Sequence, residues 1–520
     1  MKFRVEREAL GEAVGWVARA LPARPVIPVL SGLLVQASGA GLTLSCFDYE
    51  VSARVAIPAE VEEAGTALVP GRLLAEIIRS LPPRLVEVSS ETDMIRLSCG
   101  SAEFELVALP VEEYPGLPEP PAPSGTVDGG VLAAAAAQVV PSASRDDTLP
   151  MLTGVCLDID GPVMTLAATD RYRLAVRTVD WTPARPGLRA SALVPARTLA
   201  DVARTMAPGE PVTIAFSAPA EGGARSRGAA ASRSGSAGAA SAGPASAGAE
   251  SQGAESAGPA AEGTAAAGAR RAEPRPAEGM ISFEGGGRRL TARLIGGDFL
   301  RYQQRFPAEF GCRAEIQAEP FMAAVRRVSL VADRTRPVQL TFGPGEVTIE
   351  AHTDGRARAA ESLQAAFTGS EPTISFNPGY LLDGLAAAAI CGAARPQPGG
   401  PEGGTAEPEP GRIRLQFTSP AKPALITWAG YEADLQHAAA EREAAERETA
   451  EGETDEGETA EGRAAGGAAA RTAAGDPPAE RAGASGPAAA GDSATAGSAP
   501  GFRYLVVPQR SSASPAPGRA

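Results

Sequence analysis

The sequence predicts an α+β protein made of three copies of one module of roughly 120 residues. Two landmarks recur with the same period, and the order of strands and helices repeats inside each copy. The stretches that interrupt the period are low in complexity.

The first landmark is an alternating strand: Leu42-Thr-Leu-Ser-Cys46, Met164-Thr-Leu-Ala-Ala168 and Val347-Thr-Ile-Glu-Ala351. Each sets three apolar residues on one face and then meets a polar turn at Asp48, Asp170 or Thr353. The spacings are 122 and 183 residues, and the second contains a 62-residue stretch whose removal leaves 121. The second landmark runs a short strand into proline and then a helix, at Leu68-Val-Pro-Gly-Arg-Leu-Leu, Leu193-Val-Pro-Ala-Arg-Thr-Leu and Ser375-Phe-Asn-Pro-Gly-Tyr-Leu-Leu. Proline fits a first helical turn because its missing N–H has no intrahelical partner there. Its prolines, Pro70, Pro195 and Pro378, are 125 and 183 residues apart.

Taken in order, module one reads strand 1–5, helix 6–20 and strands near 33–36 and 42–57. Strand 67–69, helix 71–81 and strands near 85–88, 94–97 and 103–109 follow. Three such modules give six short helices and mostly antiparallel sheets, bounded at 1–122, 123–310 and 311–510, with a tail at 511–520. The stretches 218–279, 393–411 and 433–500 lack the β-branched and aromatic residues that offset the entropy of ordering, so they and the tail are expected to be disordered. The first falls between strands near 212–216 and 281–283, the last between 424–428 and 503–507. Additions at loop tips cost little closure entropy.

The whole chain carries a net charge of −14 and only two lysines, Lys2 and Lys422, which argues against a general nucleic-acid binder. Nine of those negative charges lie in 433–500; outside the three inserts, 371 residues carry −3. No secretory signal pattern and no 18-residue apolar run is present, which predicts a cytoplasmic protein without a membrane span. Five scattered cysteines, three of them in strand-like segments, read as reduced thiols. The two histidines, His352 and His437, have no nucleophile placed beside them. No phosphate-binding loop or paired metal ligands occur, so neither an enzyme site, a metal nor a cofactor is expected. Asp48 and Asp170 are expected to shape turns.

The opening Met-Lys-Phe-Arg-Val-Glu-Arg-Glu, Arg24-Pro-Val-Ile-Pro-Val-Leu30, Thr169-Asp-Arg-Tyr-Arg-Leu-Ala175 and Tyr504-Leu-Val-Val-Pro-Gln-Arg510 resemble the beta subunit of bacterial DNA polymerase III, the processivity sliding clamp. That resemblance implies a homodimeric ring, with helices lining a hole that duplex DNA threads without sequence readout. It also implies a pocket between modules two and three for short peptides of the DNA polymerase III alpha subunit and the clamp loader. The implied pocket residues are Leu152, Thr169, Arg171, Tyr172, Arg173, Leu174, Leu300, Val507, Pro508, Gln509 and Arg510. The implied joint sets Phe104 and Leu106 against Ser329 and Leu330.

DNA contacts are expected from Arg24, Arg72, Arg79, Arg145, Arg197, Arg204, Arg326 and Arg327, although each helix arginine also reads as part of a solvated face. Ten arginines against nine acids give the six helices only +1, or +3 with Arg24 and Arg145. The family usually has Gly and His where Arg171 and Tyr172 stand, and Pro at Leu300. Its closing Met-Pro-x-Arg-Leu is here Val507-Pro-Gln-Arg-Ser511. Exchanging that last leucine for serine forgoes about 1.5–3 kcal/mol of potential burial. Two readings follow: a DNA tether, or a diverged paralogue of the same fold acting as a regulatory or repair scaffold with altered partners.

Overall fold

The computed structural model describes residues 1–91, 93–206, 208–217, 279–307, 309–332, 336–353, 356–393, 411–432 and 501–509. The expected disorder of the inserts and tail, and Arg510, lie outside the described residues.

Each module runs twice through strand, helix and further strands. In module one, Lys2–Glu6 leads into α1 (Arg7–Val17), followed by Gly32–Ser38, Gly41–Phe47, Val51–Ile57 and the short Glu60–Glu63. Gly65–Pro70 then leads into α2 (Gly71–Ser80), Leu85–Glu91, Met94–Cys99 and Ala102–Val107. Module two repeats this with Pro123–Asp128 and α3 (Gly129–Val139), then Arg189–Pro195 and α4 (Ala196–Ala203). Module three does so with Cys312–Gln317 and α5 (Ala318–Ser329), then Thr373–Phe376 and α6 (Pro378–Ala393). Both repeated landmarks therefore mark equivalent positions. Pro70 and Pro195 are the N-caps of α2 and α4, and Pro378 is the first residue of α6.

The strands form because their apolar residues alternate. In Lys2–Glu6 only Phe3 and Val5 are buried, and in Val338–Gly343 Val338, Leu340 and Phe342 are. Helices cover the sheets in pairs, α1 on α2, α3 on α4 and α5 on α6, while α3 also packs on α6. Asp128 caps α3 by accepting from Val131 N at 2.9 Å and holds Gly209 N at 2.9 Å, so it is a cap rather than part of a helix face. Four cysteines lie in strands, one more than expected, and Cys391 is on α6; none of the five is in a disulfide.

All named strand pairs are antiparallel, and the sheets do not stop at module borders. Arg288–Arg293 of module two pairs with Val51–Ile57 of module one, giving a nine-stranded sheet. Phe502–Val506 of module three pairs with Arg173–Asp180 of module two and gives a second. The remaining five-stranded and four-stranded sheets end on Ala102–Val107 and Ala357–Gln364. The first insert joins the paired strands Pro211–Phe216 and Met280–Gly285, the last the paired strands Ala424–Trp428 and Phe502–Val506.

Between modules two and three the buried ring of Tyr504 lies against α6 and donates to Tyr380 O at 2.7 Å. A Cβ at Gly384 would stand 2.4 Å from that ring. Gly384→Ala is expected to destabilise the protein by about 1–3 kcal/mol, the usual cost of overpacking, read as a lower urea midpoint.

Candidate functional site

The turn at 170–173 organises the site. Asp170 Oδ1 accepts from Tyr172 N at 3.0 Å and Arg173 N at 3.1 Å, while Thr169 Oγ1 donates to Arg173 O at 2.6 Å. Module one builds the same turn, with Asp48 Oδ1 accepting from Glu50 N at 3.0 Å and Val51 N at 2.7 Å. Both aspartates are turn formers, as expected. The residue after each aspartate adopts a left-handed backbone, Tyr49 at φ 74° and Arg171 at φ 81°. A glycine, having no Cβ, takes that conformation without crowding the backbone.

Arg173 is sunk at the junction, its side chain 10% exposed. It donates to Asp170 at 2.9 Å, to Asp383 of α6 at 2.5 Å and to the carbonyl of Pro141, and lies 4.5 Å over the Tyr380 ring. A buried guanidinium is tolerated only with such partners. The exposed ring of Tyr172 stacks on Tyr380 at 6.1 Å. Val507 N donates to Tyr172 O and Gln509 N to Ser375 O, both at 2.8 Å, so the end of the last described strand runs beside the turn. Burial raises the pKa of the Tyr380 and Tyr504 hydroxyls.

The structure thus brings Thr169, Arg171, Tyr172, Arg173 and Val507 together, with Pro508 and Gln509 half-buried beside them. Leu174 and Leu300 share an apolar cluster with Leu193, Tyr302, Leu425 and Leu505. Leu152 is buried and its carbonyl accepts from Ser144 N at 2.7 Å. Sequence reasoning missed Tyr380 and Asp383. Tyr380 lies in the second landmark and Asp383 directly after it, but only the fold shows that α6 starts beside the turn.

All eight candidate DNA arginines are exposed. Three are engaged: Arg72 with the carbonyl of Pro22 at 3.1 Å, Arg204 with Asp201 at 3.2 Å, and Arg327 with Glu361 through Nε at 3.1 Å. Arg24, Arg79, Arg145, Arg197 and Arg326 have no side-chain partner among the described residues. Arg7, counted in the helix charge, instead caps the end of α2 through the carbonyls of Ile78 and Arg79 at 3.2 and 2.7 Å. Helix α3 has no charged residue.

At the expected joint, Ser329 ends α5 and Leu330 is 83% exposed. Phe104 is half-buried against the core, but Leu106 is turned into it, so only Phe104 of that pair has side-chain surface to offer.

Models of the N-terminal, central and C-terminal domains of the DNA polymerase III beta subunit match residues 1–118, 126–231 and 303–390. The chain belongs to the DNA polymerase III beta subunit family. Among its relatives, the beta sliding clamp of Streptomyces coelicolor is 43% identical over 82% of this chain and 94% of its own length. The beta sliding clamp homolog GriR of Streptomyces muensis is 39% identical over 74% and 88%. The Bacillus subtilis sliding-clamp crystal structure superimposes with a TM-score of 0.66 at 20% identity, over 98% of this chain and 99% of that one. The chain is a DNA sliding clamp, and the scaffold reading is not favoured by relatives that match over most of its length. The family is a processivity factor. No helix among the described residues is long and apolar enough to cross a membrane, and they contain no metal-binding cluster.

Arg171→Gly tests the strained turn of this clamp. Releasing a left-handed non-glycine residue is expected to stabilise the fold by up to about 1 kcal/mol, measured as a rise in the urea midpoint. A fall would show that the Arg171 side chain holds the turn.

Proposed function

We propose that two copies of this clamp close into a ring around duplex DNA and tether the replicative polymerase. The observation that carries the ring is the composition of the sheets. At each internal junction, a five-stranded half-sheet meets a four-stranded one through antiparallel strands. The chain ends hold the remaining halves: a five-stranded sheet with its edge at Ala102–Val107 and a four-stranded sheet with its edge at Ala357–Gln364. The same join cannot be made twice by one strand pair within one chain, but two chains supply it twice, head to tail. Exposed Leu330 and half-buried Phe104 then sit at the joint.

Within the ring, Arg24, Arg79, Arg145, Arg197 and Arg326 are the side chains free to meet phosphates, with Arg72, Arg204 and Arg327 as tethered seconds. Mobile positive charge holds DNA without reading its bases, which suits a sliding body. The pocket around Arg173, Tyr172, Tyr380 and Val507 takes short peptides from the DNA polymerase III alpha subunit and the clamp loader. Arg171, Tyr172 and the changed C-terminal end favour an altered peptide preference. The borders 1–122, 123–310 and 311–510, a cytoplasmic location and the absence of any catalytic centre belong to this reading.

The test is topological. Loaded on nicked circular DNA, the clamp is expected to stay through gel filtration and to leave when the circle is linearised. Leu330→Asp is expected to move the free protein from twice 52.8 kDa toward 52.8 kDa and to abolish that retention. Efficient loading with equal loss from circles and linear DNA would contradict the tether.

A further inference from the structure

Helix α1 carries two glycines in its interior, Gly11 and Gly15, spaced so that they share one face. Glycine inside a helix is destabilising relative to alanine, because it loses more conformational freedom on folding. Packing requires neither of them. A Cβ at Gly15 would meet nothing beyond its own helix within 4 Å, and one at Gly11 would meet only Ile78 Cγ2 at 3.5 Å, an ordinary contact. Counted from the helix N-caps, the same positions hold Ala133 and Ala137 in module two and Met322 and Arg326 in module three.

The missing side chains leave a cleft of about 130 Å³ between α1 and α2, lined by Arg7, Gly11, Gly15, Ala75 and Arg79. Its polar walls are two guanidiniums. Arg7 is fixed: its Nε donates to Ile78 O at 3.2 Å and its Nη2 to Arg79 O at 2.7 Å. Those bonds leave Nη1 without an acceptor among the described residues. Arg79 is exposed, and its side chain has no partner among them. The lining residues include no acid, and Glu12 of α1 accepts from Arg288. The residues equivalent to Arg7 are Gly129 and Ala318, so the other modules do not assemble this pair.

We propose that this cleft seats one backbone phosphate of the threaded duplex, with Arg7 and Arg79 as its donors. The inference rests on the reading that the ring encircles DNA. A guanidinium holds a phosphate through charge-assisted N–H bonds, and it stays charged at any pH the protein meets. Glycine at the floor lets the anion sink toward the helix backbone, a close approach that a side chain would block. Such a contact carries no base readout and so suits a sliding body. A solvated arginine offers charge alone; the cleft adds shape, and shape can be altered without touching charge.

Full-length clamp is titrated with a short fluorescein-labelled linear duplex, read by anisotropy across a potassium chloride series, beside Gly11→Ala/Gly15→Ala and Arg79→Gln. Each variant is expected to weaken binding about threefold or more and to lower the slope of log K against log salt by about one. The glycine variant changes no charge, so a lower slope there reports a phosphate lost from the cleft. Its urea midpoint is expected to rise, because alanine suits a helix interior better. Unchanged affinity and slope in the glycine variant overturns the inference. A lower midpoint makes the glycines structural and overturns it as well. In a second arm, inorganic phosphate replaces chloride at constant ionic strength. Should it raise the midpoint of the unaltered clamp more than that of the glycine variant while their duplex slopes agree, the cleft holds a free anion rather than DNA, and the inference fails. If the unaltered clamp shows no salt-dependent binding to the duplex, the DNA reading itself falls, and the inference with it.

Discussion

An unpaired strand edge is a row of backbone donors and acceptors without partners, and it governs the construction of this clamp. Each half-sheet ends on such an edge. Arg288–Arg293 closes the edge of Val51–Ile57, and Phe502–Val506 closes that of Arg173–Asp180, so the last strand of one module satisfies the first half of its neighbour. Of the edges that remain, those of Ala102–Val107 and Ala357–Gln364 hold the corresponding positions in the chain's two end modules. The head-to-tail ring proposed above satisfies them with the same antiparallel pairing. The proposed pocket is a by-product of one of these joins: Arg173 begins one joining strand, Val507 follows the other, and Tyr380 and Asp383 enter from the helix packed behind them.

Much of this was legible in the sequence because period is a property of residue order. The spacings of Leu42, Met164 and Val347, and of the three prolines, located equivalent strands and helix starts correctly, and the aspartate turns followed from residue type. What was not legible depended on contacts across modules. Charge counting treated Arg7 and Asp128 as members of charged helix faces, whereas one caps a neighbouring helix and the other caps its own. Leu106 alternates correctly along its strand, yet whether the buried side faces the core or a partner is decided only by what packs there. Tyr380 sits in a recognised landmark and Asp383 directly after it, but both acquire a role only beside Arg173.

The electrostatics are correspondingly spare. In the proposed ring, a near-neutral body meets DNA with a handful of exposed arginines that have no side-chain partner among the described residues. Long-range attraction is weak and screened within about 10 Å at 0.1 M salt, so the proposed ring retains DNA by topology rather than affinity. That places the functional burden on the closure of the two end sheets.

Closure is tested most directly by amide hydrogen exchange along the two end edges. The account predicts that alternate amides of Ala102–Val107 and Ala357–Gln364 are protected in the unaltered dimer and exchange rapidly in a Leu330→Asp monomer, while Arg288–Arg293 and Phe502–Val506 stay protected in both. Exchange at the end edges that is equally fast in dimer and monomer would contradict it.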